Sequence, residues 1–212
     1  IAVFGMGGVG GFVCESLARC GVGKIDLYDF DIVSISNINR QIIALHSTVG
    51  QSKVEAMKNR ILDINPNCEV CCFCKNISCE NIDDINLKVD YIVDAIDTIS
   101  SKILLIEKAN IYNVPIISST GTGNKLDCTK LQITDIYKTS VCPLAKVMRK
   151  KLKAKGIKKL NVLYSTEVPT KPIYDDPKDY EKRKQTPASI AFVPSVAGIM
   201  IAQKVVMDIL EK

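Results

Sequence analysis

The first 120 residues alternate short apolar runs with amphipathic stretches, and the two periods predict a repeated strand–helix–strand order. Ile1–Phe4 is apolar throughout, Gly11–Cys20 carries Phe12, Val13, Ser16, Leu17 and Cys20 at helical spacing, and Lys24–Asp29 alternates as a strand does. After a loop rich in Asn and Ser from 31 to 47, Ser52–Asn65 places Val54, Met57, Ile61 and Ile64 in step, and Pro66 stops that helix. Glu69–Cys74, Tyr91–Ala95 and Pro115–Ser119 predict further strands, with a helix over Ser101–Tyr112. This order implies an α/β fold, a Rossmann-like and mainly parallel sheet with helices on both faces.

The rhythm changes after Ser119. Leu131–Ile136 and Val162–Glu167 predict antiparallel strands added to the sheet, with a helix over Leu144–Lys155 between them. A polar connection over about 170–186 is longer than compact domains ordinarily carry, which points to a mobile or functional loop. A last helix, Ser189–Leu210, is expected to pack back on the sheet. With no repeat and no dividing linker, residues 1–212 predict a single domain, a nucleotide-binding half over 1–120 and a substrate-facing half over 121–212.

Composition narrows the class. Hydrophobic residues at 47% and charged residues at 24% are ordinary for a soluble chain. The apolar run Ala188–Ala202, interrupted by Pro194, Ser195 and Gly198, is shorter than a bilayer span and predicts a core helix, so no membrane partner is expected. Four of nine cysteines crowd into Cys68, Cys71, Cys72 and Cys74, on a strand rather than in a disulfide framework, which favours free thiols and a cytoplasmic location. At their spacing on a strand these side chains point to opposite faces and make poor joint zinc ligands. A chain that opens inside a strand implies a segment before Ile1. The net charge of +5 is unevenly spread: 146–159 holds Lys146, Arg149, Lys150, Lys151, Lys153, Lys155, Lys158 and Lys159 and no acid. Such a helix either tracks nucleic-acid phosphates or is a solvated cationic face; Lys125 and Lys138 could add to it.

Chemistry enters at the end of the first strand. Gly5-Met6-Gly7-Gly8-Val9-Gly10 joins that strand to a helix, so Gly5, Gly7, Gly8 and Gly10 permit close backbone approach and the helix N-terminus favours an anion. Asp29, about twenty residues on, stands where a carboxylate accepts from ribose hydroxyls, a feature shared by NAD and ATP sites. Asn37, Arg40 and Lys53 follow. Lys53 lies in the first turn of a helix, against the dipole, so it either faces a stronger negative charge such as a triphosphate or is a solvated surface lysine. Asp97, beyond a strand end, suits Mg2+; its neighbour Asp94 could instead cap the following helix.

Together, Gly5–Gly10, Asp29-Phe30-Asp31, Ser36-Asn37-Ile38-Asn39-Arg40-Gln41, Val49–Lys53 and Asp94-Ala95-Ile96-Asp97 closely resemble the E1-like adenylating enzymes (the ThiF, MoeB and ubiquitin-activating superfamily). The resemblance implies ATP and Mg2+ as cofactors and attack of a carboxylate on the α-phosphate. It implies that Asp29 holds ribose, that Asn37, Arg40 and Lys53 contact phosphates, that Asp97 serves the metal, and that Arg40, Lys53 and Asp97 are the catalytic set. A homodimer is also implied, with an N-terminal arginine of one subunit reaching the other's ATP site.

The second half refines the branch. Pro115–Asp127, Leu131–Thr139, Pro143–Lys146 and Tyr164–Glu167 resemble the tRNA threonylcarbamoyladenosine dehydratase branch. That resemblance implies a substrate tRNA bearing N6-threonylcarbamoyladenosine at position 37, adenylated and then cyclised to cyclic t6A by its own ureido nitrogen. Lys146, Arg149, Lys150, Lys151 and Lys153 are the expected tRNA-binding residues. An intramolecular nucleophile needs no covalent relay, which agrees with the difficulty of placing a catalytic cysteine: Cys142 before Pro143 reads first as an ordinary residue at a helix start. No cysteine follows Cys142, which speaks against a sulfur-relay partner found with some relatives. The alternative is an adenylating activator of a small sulfur-carrier or ubiquitin-like protein, and a third reading is a non-catalytic NAD-binding or scaffold protein.

Overall fold

The computed structural model describes residues 1–170 and 188–211. Seven strands, β1 (Ala2–Phe4), β2 (Lys24–Tyr28), β3 (Glu69–Phe73), β4 (Ile92–Asp94), β5 (Ile116–Ser119), β6 (Leu131–Asp135) and β7 (Asn161–Ser165), form one sheet in the spatial order β3-β2-β1-β4-β5-β7-β6. Every neighbouring pair is parallel except β6 with β7. Of the two strands added by the second half, only β6 therefore runs antiparallel. One sheet continues through both halves of the chain. The long connection expected at 170–186 lies, apart from Thr170, outside the described residues.

Helices α1 (Gly10–Arg19), α2 (Lys53–Ile64), α3 (Ile99–Ile111), α4 (Pro143–Ala154) and α5 (Phe192–Leu210) cover the sheet. The alternation of side chains along each strand explains the two layers. Val3, Leu27 and Val93 face one way and join a core with Val13 and Leu17 of α1, Met57 and Ile61 of α2, and Ala197 and Ile201 of α5. Phe4, Tyr28 and Ile92 face the other way, with Leu105 and Ala109 of α3. Phe4, Tyr28 and Phe73 are register partners and stack, with ring centroids 4.3 and 4.4 Å apart. A third core joins α3 to Met148 and Leu152 of α4.

One expectation needs correction. On α1 the buried stripe is Gly10, Val13, Cys14, Leu17 and Ala18, whereas Phe12 and Ser16 are half-buried and Cys20 is exposed. The start of α1 meets α5, whose Gly198 passes so close that a Cβ there would stand 2.5 Å from the Val9 carbonyl oxygen and 2.7 Å from Phe12 Cβ. The C-terminal helix lies within the expected Ser189–Leu210, and at 19 residues it has the length and hydropathy of a membrane span. Its place in the fold is decided by packing, since Val193, Ala197, Ile201, Ala202 and Val205 are buried against the sheet and α1.

Candidate active site

The sheet order reverses direction between β1 and β4, and open α/β sheets bind ligands at such a point, beyond the strand C-termini. The glycine turn occupies that point. Gly5 has φ +93° and donates its N–H to Tyr28 O (2.8 Å), while Ala95 N–H donates to Phe4 O (2.8 Å). A Cβ on Gly5 would stand 2.6 Å from the Ala95 carbonyl oxygen, and one on Gly10 only 1.8 Å from the Gly5 carbonyl oxygen. Both glycines are therefore fixed by close backbone approach.

Asp29 closes one side of the crevice. Its Oδ2 accepts from Met6 N–H (2.6 Å) and its Oδ1 from Asp31 N–H (2.8 Å), so the carboxylate is fastened to the glycine turn by the backbone. Burial pushes its pKa up; the two N–H donors and the Lys53 ammonium oppose that shift. Lys53 begins α2 and is buried, its Nζ 2.7 Å from Asp31 Oδ2. The solvated-lysine reading is thereby excluded.

Arg40 flanks the turn on another side. A Cβ on Gly8 would stand 3.5 Å from Arg40 Cγ. The guanidinium donates from Nη1 to Ser36 O and Asn39 Oδ1, both at 2.9 Å, and has no carboxylate partner among the described residues. Asn37 is buried and holds this loop in shape: its Oδ1 accepts from Ser34 N–H (3.1 Å), and its carbonyl accepts from Arg40 and Gln41 N–H. The loop is tied to the segment before α5 by Asn39 Nδ2, which donates to Ser189 O (3.0 Å).

The turn after β4 separates two acids. Asp97 is exposed and, among the described residues, accepts only from Thr98 Oγ1 (3.1 Å). Asp94 is fully buried and does not cap α3, whose N-cap is Thr98. Its Oδ2 accepts from Lys102 Nζ (2.9 Å) and Ser118 Oγ (2.6 Å), and its Oδ1 accepts from Ile96 N–H (3.1 Å). Lys102 escaped the sequence reading although a signal existed: it lies within the buried stripe of α3, next to Ile103 and between Ile99 and Ile106.

Beyond β5 the chain turns at Gly121 (φ +64°), where a Cβ would meet Cys142 Sγ at 2.5 Å. Cys142 is buried and its sulfur accepts from Ala145 N–H (3.5 Å) as the N-cap of α4, in keeping with the structural reading of this residue. Lys125 does not extend the basic surface. It is buried, its Nζ donates to Glu167 O, and burial lowers its pKa. Asn124, which no pattern marked, holds both Thr170 and Ala188: its carbonyl accepts from Thr170 N–H (2.9 Å) and its Oδ1 from Ala188 N–H (2.7 Å).

Helix α4 stands apart from the glycine turn, packed on α3. Lys146, Lys150, Lys151 and Lys153 are exposed, and no carboxylate pairs with them among the described residues. Arg149 is half-buried and donates to Thr139 O (2.9 Å) and Thr139 Oγ1, and Lys155 pairs with Glu107 (2.7 Å). Only the start of α4, over Gly121, lies at the crevice end of the sheet.

A model of the ThiF family matches residues 1–212. The chain belongs to the ThiF family. It is 49% identical to the tRNA threonylcarbamoyladenosine dehydratase of Bacillus subtilis over 222 aligned residues, 100% of this chain and 87% of that protein. The protein of the same name from Escherichia coli is 38% identical over 79% of this chain and 66% of its own length. Crystal structures of E. coli tRNA N6-threonylcarbamoyladenosine dehydratase in complex with AMP and with ATP superimpose with TM-scores of 0.86 and 0.83, at 31% and 32% identity. Each covers 100% of this chain and 87% of that one. A Drosophila willistoni adenylyltransferase and sulfurtransferase, MOCS3, matches 60% of this ThiF-family chain at 32% identity. The adenylating fold expected from the motifs is thus the fold found.

Proposed function

We infer that the chain is an ATP-dependent tRNA threonylcarbamoyladenosine dehydratase, acting as a single adenylating unit on tRNA bearing N6-threonylcarbamoyladenosine. The reading rests on the meeting of Arg40 with the glycine turn, in a chain 49% identical over its full length to a protein of that name. The shorter match to MOCS3 gives less support to sulfur-carrier activation.

In this reading the N–H groups of Gly5–Gly10 and the start of α1 receive phosphate oxygens. Asp29 keeps lone pairs free beside its two backbone donors and accepts from the ribose hydroxyls. The substrate carboxylate attacks the α-phosphorus and pyrophosphate leaves. The ureido nitrogen of the same group then closes on the acyl carbon, loses its proton, and AMP departs, so water is lost overall. Arg40 and Lys53 neutralise the charge that develops on the phosphates, Lys53 exchanging Asp31 for phosphate. Asn37 fixes the Arg40 loop and can offer its Nδ2 to a phosphate.

Asp97 fits Mg2+: it is a hard oxygen donor at a strand end with lone pairs to spare. Among the described residues no three His, Cys, Asp or Glu side chains gather to hold an ion. Asp97 would therefore share the metal with the triphosphate, and the ion would supply further neutralisation of phosphate charge. Lys146, Lys150, Lys151 and Lys153 offer a free cationic face to tRNA, with Arg149 partly engaged by Thr139. The exposed Phe192, Ile199, Met207 and Leu210 of α5 give a homodimer an apolar surface to bury. A cytoplasmic location accords with a tRNA substrate and with nine free thiols.

The test is to incubate the protein with ATP, Mg2+ and tRNA carrying the threonylcarbamoyl mark. Mass spectrometry of the digested tRNA should show a nucleoside lighter by one water. Unchanged nucleosides, with pyrophosphate released only when a small carrier protein is added, would replace this reading with carrier activation.

A further inference from the structure

Gln41 follows Arg40 in the loop beside the glycine turn, and its backbone is held at both ends. Its N–H donates to Asn37 O (2.9 Å), and its carbonyl accepts from Ala44 N–H (3.0 Å). The side chain turns inward and is only 7% exposed. Its Nε2 lies against the turn: a Cβ on Gly7 would stand 3.9 Å from it. Yet Oε1 is buried with no hydrogen-bond partner, and none of the side-chain hydrogen bonds among the described residues involves this amide. Buried amides are nearly always satisfied, because leaving one unpaired costs folding free energy. This one is unpaired at the crevice where Gly5–Gly10 and Arg40 meet.

We propose that Gln41 is a nucleotide-binding residue, its amide donating from Nε2 to a phosphate oxygen of bound ATP at Gly7. The proposal rests on the reading of the crevice as a triphosphate site. Phosphate oxygens only accept, and Nε2 is the donor end that faces the turn. The two neighbours divide the task. Arg40 approaches on the Gly8 side and brings charge; Gln41 approaches on the Gly7 side and brings a directional hydrogen bond without charge. The α2 side of the crevice already has Lys53, so the phosphates would be met from three directions.

The unpaired Oε1 and the phosphate contact predict effects of opposite sign, which a mere space-filling role would not produce. In Gln41→Met a side chain of similar length replaces the unpaired amide. The ligand-free protein should melt at a higher temperature than wild type, while calorimetric ATP affinity falls about tenfold, as for loss of a hydrogen bond to a charged group. Gln41→Glu, which puts a negative charge in the same place, should weaken ATP further than Gln41→Met. In the wild-type protein the Gln41 side-chain NH2 resonance, assigned by its absence from the Gln41→Glu spectrum, should shift on adding ATP and stay in place on adding adenosine; this readout holds even if Gln41→Met fails to fold. Wild-type ATP affinity in the Gln41 variants, or an NH2 signal unmoved by ATP, overturns the proposal. Arg40→Ala measured alongside separates the two claims. If it loses ATP affinity while the Gln41 variants do not, only Gln41 is misassigned; if none of them loses affinity, the triphosphate reading of the crevice fails with it.

Discussion

Asp94 and Asp97 sit three residues apart on one turn, and the fold puts them to opposite uses. Asp94 is fully buried, and its carboxylate accepts from Lys102, Ser118 and the Ile96 N–H. Asp97 is exposed and, among the described residues, accepts a single hydrogen bond, from the adjacent threonine. The same contrast separates the cations. Lys102 is locked in a closed network, whereas the Arg40 guanidinium, among the described residues, donates only to uncharged oxygens of its own loop. A closed polar network fixes backbone, and an open one is free to meet a ligand. Here the closed set holds the β4–α3 turn in place, so that Ala95 supports Gly5 and Asp97 faces outward. The glycine turn and the exposed acid are thus positioned by a buried ion pair that never meets solvent.

The sharpest way to break this comparison is to open the closed network. Lys102→Met leaves Asp94 buried without its cation and should cost about 3–5 kcal/mol in urea denaturation, with Asp94→Asn/Lys102→Met recovering much of the loss. A Lys102→Met protein within about 1 kcal/mol of wild type would deny the pair its structural part. The next largest effect is at the open site. Arg40→Ala should lower the turnover of AMP formation about 10²-fold while the melting temperature holds; near-normal turnover would remove Arg40 from the crevice chemistry.

The basic helix sharpens the contrast between paired and free cations. Charge reversal at Lys150 and Lys151 should weaken tRNA binding about tenfold and flatten its salt dependence by about one unit of slope per lysine, with ATP affinity unchanged. Charge reversal at Lys155, already engaged by Glu107, should do much less. Equal losses in the two variants would show that pairing does not decide which lysines reach tRNA.

The smallest effect concerns pH. Burial raises the Asp29 pKa in the folded state, so its contribution to stability is fully present below the unfolded value and lost as pH rises through the folded one. Nucleotide binding runs the other way, because the ionised carboxylate is the ribose acceptor. ATP affinity should fall a few-fold on acidification, beginning at a higher pH than for an unperturbed aspartate. An affinity that is flat until an unperturbed carboxylate titrates would place Asp29 outside the ribose contact.

Much of this molecule could be read from its order of residues. Strand and helix periods, the glycine turn after β1 and the acid after β2 depend on local geometry, and local geometry is written in short-range sequence. That is why the parallel sheet, the crevice beyond its strand ends and the place of Asp29 beside Gly5–Gly10 could be read from spacing, whereas Arg40 and Lys53 were tied to that crevice only by the family resemblance. Tertiary structure alone decided which polar groups are spent and which are free. Asp94 and Lys102 are joined across a helix turn with Ser118 from another strand, Lys125 is withdrawn under Glu167, and Gln41 is turned inward beside Gly7. Burial and pairing are properties of several segments meeting in space, and the same residue type reads alike in sequence whether solvent or protein surrounds it.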